Sequence, residues 1–238
     1  MRKQFEDIYG HTHMLTKQIG EAGGQGVVFR TMDPDLAVKL IHNSAKTDVS
    51  ADTSNNRRYA ELRLLPLPER INLTLPRAEL KDAAGYVMML LDDMQEFGGA
   101  FTPDGVNDGV ANPWLDEIQD IAPEFADFIG GYMATGGSRR RISAYLGAAR
   151  VLSELHAKGL VYCDFSGRNC FISTVPGNDT VWLIDADNLS FAEAITKDAV
   201  CTNEYAAPEV IQKGLFSPWS DCYSFAISLF KDLMCIHP

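Results

Sequence analysis

Between His156 and Asp187 the chain reads HAKGLVYCDFSGRNCFISTVPGNDTVWLIDAD, and this stretch restricts the fold more than any other. Asp164 and Asn169 fall within one tight loop. After them, CFIS and VWLID have the β-branched and aromatic make-up of short strands, and Pro176, Gly177, Asn178 and Asp179 between them are turn residues. Such a hairpin carries Asp185 back towards Asn169. One amide and two carboxylates gathered in this way offer a hydroxyl-orienting base and oxygen ligands for a hard divalent cation. Turn-capping by short polar side chains is the alternative.

Upstream, KQIGEAGGQGVVFR places a glycine cluster between two strand-like segments. Glycines let backbone amides approach phosphate oxygens closely, although a plain tight turn uses the same residues. In DLAVKLI, alternation sets Ala37 and Lys39 on one face and Val38 and Leu40 on the other. The segment from Asn55 to Leu65, stopped by Pro66, has Tyr59, Leu62 and Leu65 at helical spacing with Glu61 among them. Strands are expected around 73–80 and 85–91. From Asp92 to Gly137 an insertion rich in Gly, Asp and Pro holds short helices over 112–121 and 123–133. Ser138 then opens a helix with Ile142, Tyr145, Leu146, Ala149, Leu152 and Leu155 as its buried stripe, ended by Gly159.

Taken in order, these parts resemble the eukaryotic-like protein kinase superfamily. Gly23, Gly26 and Val28 match the second half of its glycine-rich loop, while Gly20 is out of step with the first half. The resemblance implies an α+β, two-lobed protein: a small antiparallel-sheet lobe over 1–91 and a mainly helical lobe over 92–238, the latter cut short. It implies ATP held by Gly23, Gly24, Gly26, Val28, Ala37, Lys39, Met89, Leu91 and Phe171. It makes Glu61 the partner of Lys39, Asp164 the base that orients an acceptor hydroxyl, and Asn169 and Asp185 the ligands of Mg2+ or Mn2+. Thr202 and Ala207-Pro208-Glu209 resemble the end of an activation segment, which implies a protein substrate. Asp221 matches the helix aspartate that braces the catalytic loop.

The chain departs from that pattern at Tyr162 and Cys163 (usually His-Arg), at Ser166 (usually Lys) and at Ala186-Asp187 (usually Phe-Gly). The leading expectation is therefore a serine/threonine protein kinase, with a nucleotide-binding scaffold and a small-molecule phosphotransferase as alternatives. The wordings Tyr-Cys-Asp and Asp-Ala-Asp-Asn are similar to a divergent bacterial kinase group. Its members are often encoded beside a metal-dependent phosphatase and a von Willebrand A protein in stress or tellurite-resistance clusters, and these are the partners the resemblance suggests.

Bulk properties narrow the classes further. With 238 residues, 46% of them hydrophobic, a large core is within reach, and a net charge of −11 at pH 7 disfavours nucleic acid as a partner. No apolar run has the length of a membrane span and the amino terminus lacks a signal peptide's apolar centre, so a cytoplasmic location is expected. Five cysteines without metal-knuckle spacing are read as reduced thiols. Residues 1 to 14, including His11 and His13, are read as a frayed terminus with no chemistry.

Overall fold

A computed structural model describes residues 3–20, 26–43, 48–54, 56–103, 113–192 and 201–238. The chain divides into two compact units. One comprises Met1–Leu67, Leu73–Asp92 and Asp185–Asp187, and the other Pro68–Asn72, Asp93–Ile184 and Asn188–Pro238. An antiparallel sheet dominates the first and helices the second, an α+β architecture of the kinase kind.

In the first unit, β1 (Gln4–Glu6), β2 (Thr12–Ile19), β3 (Gly26–Thr31), β4 (Leu36–Ile41), β5 (Pro76–Glu79) and β6 (Gly85–Met89) form a sheet in the order β1-β2-β3-β4-β6-β5. Alternation fixes its two faces. Val27, Val38, Leu40 and Val87 pack with Phe5, Ala78, Leu80 and Ala83 into the core of this unit. Because Lys39 pairs with Val28 on one side and Tyr86 on the other, those three side chains share the opposite face. Two glycines bring neighbouring backbones unusually close to β4. A Cβ on Gly26 would lie 2.2 Å from the Leu40 carbonyl oxygen, and one on Gly85 (φ +147°) 2.2 Å from that of Lys39.

The reading of a frayed amino terminus is overturned. Phe5 pairs with His13 across β1 and β2, and Asp7 is buried. The Asp7 carboxylate accepts the Tyr9 and His11 amides at 2.9 and 3.0 Å and lies 2.9 Å from His13 Nε2, so the turn closes on its own anion. The short helix α1 (Asn56–Leu62) buries Asn56, Tyr59 and Leu62, one side chain per turn. Asn56 Nδ2 donates to the carbonyls of Leu80 and Ala83, both at 2.9 Å, anchoring the helix start to the β5–β6 turn.

The second unit holds β7 (Met94–Glu96), α2 (Phe97–Phe101), α3 (Pro113–Gln119), α4 (Pro123–Ala134), α5 (Gly137–His156), β8 (Leu160–Val161), β9 (Cys170–Ser173), β10 (Val181–Leu183), β11 (Ser190–Phe191), α6 (Pro208–Lys213) and α7 (Pro218–Met234). The expected hairpin is present: β9 pairs with β10, Cys170 opposite Leu183, and β7 adds on the other side. In α5 the buried side is Arg141, Ala144, Tyr145, Ala148, Val151, Leu152 and Leu155. Ile142 and Leu146, assigned to the buried stripe by periodicity, are exposed instead. The helix is turned so that Ala144 and Ala148 admit close neighbours while the fully buried Arg141 donates to the carbonyls of Asp232 (2.7 Å) and Gly137 (3.0 Å). Phe97, Tyr145, Phe225 and Phe165 then form a chain of tilted and edge-on ring contacts at 5.2 to 5.4 Å. That chain fastens the loop after β8 to the helices.

Candidate active site

Within the first unit, Lys39 sits on a strand interior and its side chain is only 7% exposed. A buried ammonium is costly unless paired, and this one is paired twice. Nζ bonds to Asp185 Oδ1 and, at 2.7 Å, to Asp187 Oδ2. Asp187 is fixed in turn: the Tyr86 hydroxyl donates to its Oδ1 at 2.7 Å, and Arg58 Nε donates to its main-chain carbonyl at 2.7 Å. Two acids and two bases therefore balance in one buried group. Burial pulls the Lys39 ammonium towards neutrality, but Asp187 and Asp185 hold its pKa above the ordinary lysine value. Burial pushes Asp185 up to about 6, with Lys39 opposing and Asp187 reinforcing. The same burial, with Asp187 beside it, keeps Tyr86 a protonated donor. Asp185 also has φ +61°, a left-handed conformation that a non-glycine residue adopts at a cost of about 1–3 kcal/mol.

Glu61, expected to meet Lys39, does not. It is 61% exposed and pairs with Arg57 at 3.2 Å along the helix surface. The physical reason is the phase of α1: Tyr59 takes the inward position and packs on Tyr86 with ring centroids 4.6 Å apart, which turns Glu61 to the outside. The residue that α1 does send to this cluster is a cation, Arg58. Ala186 is buried.

Within the second unit, Asp221 organises the loop after β8. Its carboxylate is 1% exposed and accepts the main-chain amides of Tyr162 at 2.8 Å and Cys163 at 2.9 Å, with His156 Nε2 at 2.9 Å. These bonds hold Cys163 at φ +75° and present the next residue, Asp164. Asn169 Nδ2 donates to the Asp164 main-chain oxygen at 2.8 Å and to its carboxylate at 3.0 Å, so the Asn169 nitrogen faces the aspartate and its oxygen is the atom left for a ligand. Asp164 Oδ1 also accepts both the amide and the hydroxyl of Thr202, each at 2.9 Å. Ser166 is buried and its hydroxyl has no partner among the described residues, so it does not stand in for the lysine usual at that position; Arg168 is exposed. The Ile184 amide bonds the Asn169 carbonyl at 2.9 Å, and the chain passes from there into Asp185.

The remaining candidates fall as follows. Val28 and Ala37 lie on the Lys39 face by register, together with Met88. Met89 is on the alternate face of β6, and Leu91 lies beyond the end of that strand. Gly26 begins β3, Phe171 lies on β9 opposite Trp182, and Gly23 and Gly24 lie outside the described residues. A separate hollow of about 580 Å³ in the first unit, bordered by Tyr9, His11, Met14, Met32 and Arg77, shares no residue with Lys39, Asp185 or Asp187.

The Asp185 carboxylate in the first unit and the Asn169 side-chain oxygen in the second are each a hard oxygen donor of the kind Mg2+ takes. No group of three or more His, Cys, Asp or Glu side chains among the described residues encloses a cation by itself. No helix among the described residues is long and apolar enough to cross a membrane.

Comparison with known families agrees with the loop geometry. Residues 132–235 match the sequence model of the protein tyrosine and serine/threonine kinase family. The matched stretch contains Asp164, Asn169, Asp185 and Asp221 and does not extend to Lys39. No match to a curated protein accompanies it. The chain is thus similar to protein kinases over the region that carries the loop acids.

Proposed function

We propose that the protein is an ATP- and Mg2+-dependent protein kinase that phosphorylates serine or threonine hydroxyls. One observation carries the reading: the Thr202 hydroxyl donates to Asp164 Oδ1 at 2.9 Å, the separation at which a general base has to hold an acceptor. The Thr202 amide reaches the same oxygen, so main chain lies close to the base, which suits a short hydroxyl side chain better than a phenol. In this reading Lys39 binds the α- and β-phosphates, Asn169 and Asp185 hold metal, and Asp164 orients the acceptor hydroxyl and takes its proton. When bound, the metal neutralises charge on the phosphate oxygens. The segment 202–209 supports a protein substrate, because Tyr205, Ala206 and Ala207 are buried and lead into α6 through Pro208. A cognate phosphatase and a von Willebrand A protein are the partners proposed from the loop wording.

Incubation of the protein with labelled ATP and a generic protein substrate tests the proposal. Transfer by the wild type and its loss in Asp164→Asn is expected. No transfer by the wild type, or equal transfer by the two, refutes it. The pairing of Asp185 with Lys39 favours a second reading, a nucleotide-binding scaffold in which the metal ligand stays engaged. Thermal stabilisation by ATP that requires Mg2+ favours the enzyme, and metal-independent stabilisation favours the scaffold.

A further inference from the structure

We infer that Asp187, and not a glutamate of helix α1, is the positioning residue that holds Lys39 for nucleotide phosphates. This rests on the phosphoryl-transfer reading above and concerns its lysine. Three features of the cluster point the same way. Lys39 Nζ has Asp187 Oδ2 at 2.7 Å, and Glu61 is occupied on the surface by Arg57. Asp187 is constrained on three sides: its Oδ2 by Lys39, its Oδ1 by the Tyr86 hydroxyl and its carbonyl by Arg58. A carboxylate held that firmly, with its side chain 10% exposed and both oxygens already bonded, has the rigidity a positioning group needs. Asp185, 27% exposed, is the more accessible of the two acids.

The charge count gives the reason for the exchange. The Asp185 to Asp187 turn already supplies two anions to the buried cluster, so a third from α1 would leave an uncompensated negative charge in a low-dielectric site. The helix contributes Arg58 instead, and Tyr59 fills the inward position by stacking on the same Tyr86 that donates to Asp187. Where a kinase of the usual pattern has glycine two residues after the metal aspartate, this chain has the acid that anchors the lysine. The metal ligand and the lysine anchor are then separated by Ala186 alone. With nucleotide and metal bound, Asp185 would serve as a metal ligand and Asp187 would keep the ammonium in place.

The test measures nucleotide affinity apart from transfer, using ADP and adenosine on wild type, Asp187→Asn, Asp187→Glu and Glu61→Gln, by displacement of a fluorescent adenine nucleotide. Lys39 acts on phosphates only, so Asp187→Asn should weaken ADP about 10- to 100-fold, equivalent to about 1.4–2.7 kcal/mol, and leave adenosine within about twofold. Asp187→Glu should regain part of the loss, Glu61→Gln should keep the wild-type preference for ADP, and the Mg2+ concentration giving half-maximal ADP binding should not move. Equal weakening of adenosine and ADP would make the role structural, and a shifted Mg2+ dependence would make Asp187 a metal ligand. Loss of ADP preference in Glu61→Gln with none in Asp187→Asn would restore the helix acid. Each of these overturns the inference. If the wild type binds ADP, loses it in Asp187→Asn and transfers no phosphate, the inference stands and the kinase reading falls; a wild type without ADP preference over adenosine ends both.

Discussion

Replacing Asp221 by asparagine keeps the shape of a buried side chain and removes one of its two acceptor oxygens. In the native protein one oxygen accepts the Cys163 amide and the other accepts the Tyr162 amide and faces His156. Whichever way the asparagine turns, an NH2 group then points at a main-chain N–H. One charge-assisted bond is lost and a buried amide is left unsatisfied, together about 2–4 kcal/mol. At about 2–4 °C per kcal/mol for a chain of this length, the melting temperature should fall by roughly 5–15 °C. The same bonds restrain Cys163 at its left-handed φ, which itself costs about 1–3 kcal/mol. Without them the loop relaxes and Asp164 leaves its position, so phosphoryl transfer should fall further than the stability change accounts for. Circular-dichroism melts and a transfer assay on wild type and Asp221→Asn provide the two readouts, with ADP affinity, assigned to the Lys39 cluster in the proposal above, as the internal reference. A variant that melts within about 1 °C of wild type and transfers phosphate at the same rate would refute the account of Asp221 as the brace of this loop.

Other outcomes follow from groups away from that loop. Burial raises the Asp7 pKa, but the His13 bond and the His11 and Tyr9 amides outweigh it and hold Asp7 below the usual carboxylate value. Its contribution to stability is therefore complete above about pH 4 and disappears as pH falls through the depressed folded-state pKa; melts of wild type and Asp7→Asn should converge in that acid window and differ above it. Arg141→Met should cost about 3–5 kcal/mol, since it takes the guanidinium donors from the Asp232 and Phe101 carbonyls and removes the guanidinium stacked 4.0 Å from the Tyr132 ring centroid. Arg139→Met, at an exposed neighbour, should change a denaturant midpoint little.

Much of the framework is legible in the chain because it depends on local periodicity. Alternation in DLAVKLI sets the face of Lys39, and turn residues between CFIS and VWLID set the hairpin that leads to Asp185. Where the reading failed, a tertiary contact decided. Helical spacing could not choose which side of α1 turns inward, since Tyr59 does so by stacking on Tyr86, a residue far away in sequence. In α5, Ile142 and Leu146 lost the buried side to Ala144 and Ala148 because close approach and the acceptors around Arg141 outweighed side-chain hydrophobicity. Asp187 was visible as a departure from the kinase wording, but its role needed Lys39, Tyr86 and Arg58 brought beside it. The buried Asp7 and His13 pair had a signal too, an acid six residues before a histidine with a Tyr-Gly turn between them.

The glycines on either side of β4 give a way to read relatives of this chain by inspection. Acids and lysines can persist in a lineage after activity has gone, because an exposed or paired polar group is tolerated. The spaces beside the Leu40 and Lys39 carbonyls are less forgiving, as a Cβ at position 26 or 85 would meet a carbonyl oxygen of the lysine strand at 2.2 Å and force the backbone to shift. A homologue that keeps every acid but has lost either glycine should be sorted with the inactive branch.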